Sequence, residues 1–270
     1  MPPPSTIAFI GGGNMAGALI GGLRRSGQPA EGILVVEPWA EQRERLAQQH
    51  GVRALPAADA SLARAARVVW AVKPQSFAEA AAACAAQVGG ALQLSVMAGI
   101  RSETIAAATG TRRVVRAMPN TPALIGQGIA GLYARPEVSA DERAGVEALL
   151  APTGQTLWVE REDDLDAVTA LSGSGPAYVF LFIESMMQAA REMGLSEAQG
   201  RALALRTFAG ATELATRSEE PPSALRERVT SKGGTTFAAL ESMRADGVSE
   251  AIVRALMAAR QRAAELGRGS

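Results

Sequence analysis

Along the first half of the chain, short apolar runs alternate with segments whose apolar residues recur at helical spacing. The run TIAFIG predicts a buried strand, and NMAGALIGGLRRSG predicts a helix that stops at Gly27. ILVVEP predicts a second strand, followed by AEQRERLAQQHG, a helix ending at a glycine. ARVVWAVKP reads as a third strand and SFAEAAAACAAQVGG as another helix; LQLSVMAGI, RRVVRAMPN and GIAGLYA supply further strands. Wholly apolar strands that alternate with helices predict a parallel sheet covered on both faces. Strands near 7–10, 33–36 and 68–72 suit the right-handed crossovers of a doubly wound α/β sheet.

The pattern changes after TLWVEREDDLDAVTALSGSGP, and beyond Ala177 no strand signal recurs. AYVFLFIESMMQAAREMG predicts a long helix. SEAQGRALALRTFAGATELATRS predicts another, capped by Ser196 with Glu197 in its first turn. EEPPSALRERV opens a short helix with proline near its start, and TTFAALESMRADG and SEAIVRALMAARQRAAELG complete the set. The chain therefore divides into an α/β domain, residues 1–161, and an all-α domain, residues 162–270. The turns YVFLFIESMM are apolar nearly all round, which predicts burial against a second chain. LSGSGPAY ahead of them reads as a capped helix start with Pro176 in its first turn.

Composition narrows the function classes. Lys+Arg and Asp+Glu number 27 each and aromatic residues are 4%, so no basic face or stacking platform for nucleic acid is expected, nor attraction to an anionic membrane. The start MPPPSTIAFIGGG lacks the pattern of a signal peptide, and no apolar run of membrane-spanning length is expected. The one cysteine, Cys84, forms no internal disulfide and fits a reducing cytoplasm. The one histidine, His50, cannot build a histidine-rich metal site, and no metal is expected. His50 and Cys84 both lie in helix-like surroundings and read as a surface histidine and a core cysteine, not a nucleophile pair. Only Lys73 and Lys232 are lysines; every other basic residue is arginine.

AFIGGGNMAGAL reads strand, glycine turn, helix. Gly11, Gly13 and Ala16 form G-x-G-x-x-A. Gly11 suits the tight turn, Gly13 lets a pyrophosphate approach the backbone, and Ala16 lets helix and strand pack closely. The helix N-terminus offers free N–H groups to phosphate. Gly13, Gly17 and Gly21 recur at every fourth position, a bare face suited to packing on the sheet. The second strand ends in Glu37, a little beyond the usual spacing of about 20 residues for a ribose-binding acid. Its carboxylate favours NAD and would repel a 2′-phosphate, with Arg43 close enough in sequence to complicate the preference. Lys73-Pro74 and Ala98-Gly99 follow the ends of later strands, where the cofactor crevice lies.

FIGGGNMAGALIGGL, AVKPQ, RAMPNTPALIGQG, LSGSGPAYVFLFIE and VTSKGGTT occur here in the order found in pyrroline-5-carboxylate reductases. From about residue 5 to residue 266 the chain resembles that family, whose members reduce a cyclic imine with NADH or NADPH in the last step of proline biosynthesis. The resemblance implies a Rossmann domain followed by a helical domain that intertwines with its twin in a homodimer, often built up to a decamer. It implies an active site where the cofactor domain faces the helical domain at the dimer interface. Gly11, Gly12, Gly13, Asn14, Met15 and Ala16 then resemble the pyrophosphate turn, and Ala71, Val72, Lys73, Pro74, Met97, Ala98 and Gly99 the nicotinamide-side wall. Met118, Pro119 and Asn120 resemble the loop beside the reacting centre. Ser231, Gly233, Gly234, Thr235 and Thr236 resemble the substrate loop, with the Thr236 hydroxyl as the catalytic group near the imine nitrogen.

The residues support this chemistry on their own terms. An iminium already carries the charge that draws a hydride, so positioning and a hydrogen bond at nitrogen suffice. A carbonyl reductase wants a stronger acid, yet Tyr133 and Tyr178 stand in no Tyr-x-x-x-Lys spacing. Thr230, Ser231, Thr235 and Thr236 surround two glycines, and a helix opening at Thr235 would meet a substrate carboxylate with its N-terminus. A phosphate-binding P-loop is excluded, because its lysine follows the glycines whereas Lys232 precedes them. Lys232 replaces the family's usual proline, Ala130 a Thr or Ser, and Ala58 an asparagine common beside the cofactor; Glu37 and Ala58 leave the choice between NADH and NADPH open. Two rivals remain. One is a related imine or 3-hydroxyacid reductase, which would carry a lysine or aspartate on the long helix, where GPAYVFLFIESMMQAAREMG has no lysine. The other is a non-catalytic nicotinamide-sensing regulator, which would show a degraded substrate loop.

Overall fold

A computed structural model describes residues 6–268. The first part of the chain contains eight strands: β1 (Thr6–Ile10), β2 (Ile33–Val36), β3 (Arg53–Leu55), β4 (Ala65–Trp70), β5 (Leu92–Ser95), β6 (Val114–Met118), β7 (Gly128–Ala134) and β8 (Gly154–Trp158). Between them lie α1 (Asn14–Arg25), α2 (Ala40–His50), α3 (Phe77–Val88), α4 (Ser102–Thr109) and α5 (Ala140–Leu150). The later helices are α6 (Asp164–Val168), α7 (Gly175–Glu192), α8 (Glu197–Arg217), α9 (Pro222–Arg228), α10 (Thr235–Ala245) and α11 (Val248–Arg268).

The sheet order is β3-β2-β1-β4-β5-β6-β7-β8. The first six strands are parallel, β1, β2, β4, β5 and β6 as expected; the short β3 is one the sequence pattern does not predict. β7 pairs antiparallel with β6 and β8 parallel with β7, so the last two strands run opposite to the rest. The physical reason is the connection. Only a short 3₁₀ turn, Thr121–Ile125, joins β6 to β7, too little chain for the crossover a parallel neighbour needs. Two apolar clusters cover the two faces of the sheet. Phe9, Leu19, Ile20, Val35 and Leu132 belong to one, and Ile10, Val68, Trp70, Phe77 and Cys84 to the other. Cys84 is core, as expected, and burial pushes its thiol up to about 11. His50 is half-buried rather than fully at the surface; burial and the nearby Arg25 and Arg24 lower its pKa.

The chain forms two compact units: residues up to Ser174 together with those from Ala259 on, and Gly175–Ala258. In the second unit α7 and α8 form a hairpin. Ser196 caps α8 and exchanges hydrogen bonds with Gln199, a reciprocal box that fixes the helix start. A Cβ on Gly200 would stand 2.8 Å from the Ala190 Cβ, so glycine sets how closely the two helices approach. Phe182 and Phe208 meet with ring centroids 6.3 Å apart. Yet Phe180 and Leu181 of α7 are 59% and 62% exposed, and neither apolar cluster includes a residue of this unit. The apolar turns are therefore uncovered within one chain, as expected of a surface meant for a second.

α7 starts at Gly175 with Pro176 in its first turn, as LSGSGPAY predicts, but the residues ahead of it are already helical. Thr169–Gly173 is a π turn within a helical stretch that runs from Asp164 to Glu192, with the Ser174 N–H donating to the Thr169 carbonyl at 2.8 Å. Pro176 lacks an N–H and its ring crowds the carbonyl four residues back; a widened turn ahead of it relieves both. The same stretch is long and apolar enough to cross a membrane by length and composition, contrary to the expectation that no such run exists. Its exposed apolar residues include Val179, Phe180, Leu181 and Phe182 of α7.

Residue 162 is anchored to the sheet. Arg116 on β6, 6% exposed, pairs with the Glu162 carboxylate at 2.8 Å. Glu162 also accepts the Ser102 N–H and hydroxyl, each at 2.6 Å, at the start of α4. Burial raises the Glu162 pKa, but the Ser102 donors and Arg116 outweigh it and hold the carboxyl below its ordinary value. Burial lowers the Arg116 pKa, yet a guanidinium stays charged at working pH, so the carboxylate sets the acid response. The pair's stabilisation is complete above the ordinary carboxylate value of 4.5 and is lost as pH falls through the depressed folded value. Glu162→Gln is expected to cost about 3 kcal/mol at neutral pH, because it leaves a buried guanidinium unpaired. Denaturant unfolding at fixed protein concentration measures this, and the variant's acid limb should be shallower.

Candidate functional site

Register brings the predicted cofactor segments to one edge of the sheet. Ile10 lies beside Val36 on one side and Trp70 on the other; Trp70 lies beside Ser95, and Ser95 beside Arg116. The ladder runs one residue further. The Gly11 N–H donates to the Val36 carbonyl at 2.9 Å, Ala71 to Ile10 at 2.8 Å, and Val96 to Trp70 at 3.0 Å. Gly11, Glu37, Ala71 and Val96 thus leave the sheet side by side at the carboxyl ends of their strands, the edge where doubly wound folds bind nucleotides.

The three glycines of the turn differ. Gly11 has φ +94°, and a Cβ there would lie 2.7 Å from the Ala71 carbonyl oxygen. At Gly12, a Cβ would meet Leu46 at 2.6 Å. Gly13 is the N-cap of α1; a Cβ there would meet nothing within 4 Å. No side chain caps α1 and no acid sits in its first turn, so its leading N–H groups carry no protein anion. Asn14 is exposed, Met15 half-buried against the core, and Ala16 fully buried under the helix. This is the cradle a dinucleotide phosphate fits: backbone donors, no Cβ in the way, and the positive end of a helix dipole.

The bare face of α1 is not on the sheet as expected. Ala16, Leu19, Ile20 and Leu23 make the sheet contact. Gly13 and Gly17 stand open, and a Cβ at Gly21 would lie 3.1 Å from the His50 ring. They line a groove of about 230 Å³ between α1 and α2, beside Gln42, Arg45 and His50. The fourfold spacing of glycines marks an open groove beside α1, and only Gly21 closely approaches α2.

Glu37 is held by the backbone. Its Oε2 accepts the Gly12 N–H at 2.9 Å and its Oε1 the Trp39 N–H at 3.0 Å. Gln42 donates to the Gly12 carbonyl, tying α2 to the turn. Of the residues expected to wall the nicotinamide, Ala71, Val72 and Pro74 are half-buried and Lys73 is exposed. Met97 is buried in the core, Ala98 is exposed, and Gly99, φ +77°, faces Leu266 near the end of α11, where a Cβ would lie 3.5 Å from that side chain. Met118 packs its methyl against Gly173 of the π turn, Pro119 is buried, and Asn120 accepts the Ile129 N–H at 3.1 Å. Spacing alone found the turn and the strand ends; the roles of Trp39 and Gln42 left no motif to find.

In the second unit, α10 opens at Thr235 behind Gly234, as expected. It has no side-chain cap and no acid in its first turn. Gly233 takes φ +77°, and a Cβ on Gly234 would lie 2.7 Å from the Ser231 hydroxyl. Ser231, Lys232 and Thr235 are exposed and Thr236 is half-buried. The Thr230 hydroxyl is taken, donating to the Arg226 carbonyl at 2.6 Å, so fewer hydroxyls are offered here than the four in the sequence.

A glycine turn between β1 and α1 at the carboxyl edge of a doubly wound sheet, followed by a helical unit, defines an NAD(P)-dependent oxidoreductase. Residues 6–99 match the family model described as NADP oxidoreductase coenzyme F420-dependent, and residues 162–266 that of pyrroline-5-carboxylate reductase dimerisation. The pyrroline-5-carboxylate reductase of Pseudomonas aeruginosa is 46% identical over 262 residues, 96% of each chain. That of Haemophilus influenzae is 42% identical, over 96% of this chain and 97% of the other. The structure of the Coxiella burnetii enzyme superposes with a TM-score of 0.89 at 34% identity, covering 97% of this chain and 98% of that one. The Plasmodium falciparum enzyme, solved with NADP bound, gives 0.87 at 27% identity, with the same coverage. This chain belongs to the pyrroline-5-carboxylate reductase family. It is an NAD(P)H-dependent oxidoreductase, and its dimerisation unit makes it a homo-oligomer.

Two glycine variants separate structure from binding. Gly11→Ala is expected to lose about 2 kcal/mol or more, since a left-handed backbone and a carbonyl clash combine. Gly13→Ala should stay within about 1 kcal/mol of wild type, because there is room for the methyl, yet bind NADH less tightly. Denaturant unfolding and titration calorimetry read the two effects.

Proposed function

We propose that the enzyme reduces 1-pyrroline-5-carboxylate to L-proline, with the turn Gly11–Ala16 holding the cofactor diphosphate and Ser231–Thr236 the substrate. The observation that carries the substrate reading is the start of α10. It is an uncapped helix end behind two glycines, with hydroxyls at Ser231, Thr235 and Thr236 and no nearby acid in its first turn. A small carboxylate suits it; the free N–H groups of Thr235 and Thr236 donate to its oxygens, while that of Gly234 is taken by the Ser231 carbonyl at 3.0 Å. Residues 162–270 form the dimerisation and substrate-binding domain and residues 1–161 the cofactor domain.

The bound nicotinamide supplies a hydride to the imine carbon. The chain supplies placement and a proton's partner. Ala71–Pro74 and Met97–Gly99 wall the nicotinamide, and Met118, Pro119 and Asn120 fix the loop beside it. The Thr236 hydroxyl hydrogen-bonds the ring nitrogen, where a proton must reside as hydride arrives at the adjacent carbon. Carbon gains hydride and nitrogen keeps a proton, which gives the secondary amine of proline. Positioning carries most of the rate in such a reaction. Lys232, exposed on this loop, adds at most a diffuse attraction for the carboxylate. A free, buried Cys84 suits the cytoplasm, and dimers stacked through the helical units give a decamer.

Purified protein given 1-pyrroline-5-carboxylate should oxidise NADH or NADPH and yield proline; no turnover with either cofactor overturns the assignment. Thr236→Val should lower kcat by about tenfold or more while leaving the Kd for cofactor in place. A rise in KM alone would make Thr236 a binding group only.

A further inference from the structure

We infer that Glu37 makes this enzyme select NADH over NADPH; the inference rests on the dinucleotide-binding reading of the Gly11–Ala16 turn. Glu37 follows β2 directly and lies beside the glycine turn, where the adenosine ribose sits in doubly wound folds. Two backbone donors lock its carboxylate: Gly12 N–H on Oε2 at 2.9 Å and Trp39 N–H on Oε1 at 3.0 Å. Each oxygen accepts from one donor and keeps capacity for a second. The two hydroxyls of an unmodified ribose can supply those donors. A 2′-phosphate offers none, and brings its negative charge up to a carboxylate that cannot turn away without giving up both backbone bonds.

Arg43 is the residue that could offset this, and it is engaged elsewhere. Its Nη1 donates to the carbonyls of Glu37 at 3.0 Å and Pro38 at 2.6 Å. It lies against the backbone that carries Glu37, and no carboxylate pairs with it among the described residues. The pocket thus rejects one cofactor by a fixed like charge while holding a cation in reserve. Discrimination by a built-in repulsion is a common route to specificity. The preference runs opposite to the NADP of the Plasmodium falciparum structure and of the family model that covers residues 6–99.

Titration calorimetry of the intact oligomer with NAD⁺ and with NADP⁺, without substrate, tests this. NAD⁺ should bind about tenfold or more tightly, the scale of one close charge repulsion near a protein surface. Glu37→Gln should bring the two Kd values together by strengthening NADP⁺ binding, and adding Arg43→Ala to it should remove that gain. Equal or tighter NADP⁺ binding by the wild type overturns the inference, as does a Glu37→Gln ratio equal to that of the wild type. Binding of neither dinucleotide overturns the reading of the turn itself and the inference with it. A clear NAD⁺ preference in a protein that fails to reduce 1-pyrroline-5-carboxylate would leave this inference standing and remove the proposed substrate.

Discussion

Two backbone hydrogen bonds hold the turn on which the proposed cofactor site depends. The Gly11 N–H reaches the Val36 carbonyl, and the Ala71 N–H reaches the Ile10 carbonyl. They extend the ladder of three neighbouring strands one residue past the sheet and bring the chain so close to Ala71 that no Cβ fits at Gly11. The turn that follows is consequently rigid, and α1 begins with its N–H groups pointing into open space. Glu37 then braces the turn from the β2 side through the Gly12 N–H. The proposed phosphate site would consist of main chain and need few particular side chains, which suits a chain with two lysines and one histidine.

The second constraint is burial. The sheet has a full apolar cluster on each face, whereas Gly175–Ala258 contributes to neither. α7 and α8 touch through Gly200, Ala190 and a pair of phenylalanines, and leave large apolar side chains in water. Helices with so little core of their own gain their stability from a second copy, and the dimerisation family model falls on this region. The Arg116–Glu162–Ser102 cluster ties the first residue matched by that model to β6 and α4. That contact lies two residues from Met118, so the same strand carries an anchor for the helical region and a residue of the candidate site.

Much of this was legible in the sequence. Buried parallel strands are continuous Val, Ile, Leu and Ala runs, so β1, β2, β4 and β6 announce themselves, and G-x-G-x-x-A after β1 names the turn. α4 and α5 left fainter marks. SETIAAAT spans eight residues and is mostly alanine and threonine, and the signal for α5 was the capping box at Ser139 and Glu142, not its periodicity. The reversal at β7 was not legible, because apolar alternation carries no strand direction. LSGSGPAY marked the start of α7 at Gly175 but gave no sign of the π turn ahead of it, since serine, glycine and proline suit both. The lock on Glu37 could not be read either, since its donors are main-chain N–H groups at Gly12 and Trp39.

The central claim is that the start of α1 and the end of β2 form one dinucleotide site made chiefly of backbone. A crystal structure of the protein with NADH bound tests it most directly. The account predicts the diphosphate against the N–H groups that follow Gly13, and the adenosine ribose hydroxyls on the Glu37 carboxylate with its bonds to Gly12 and Trp39 intact. A diphosphate held anywhere else, or a ribose turned away from Glu37, would contradict it.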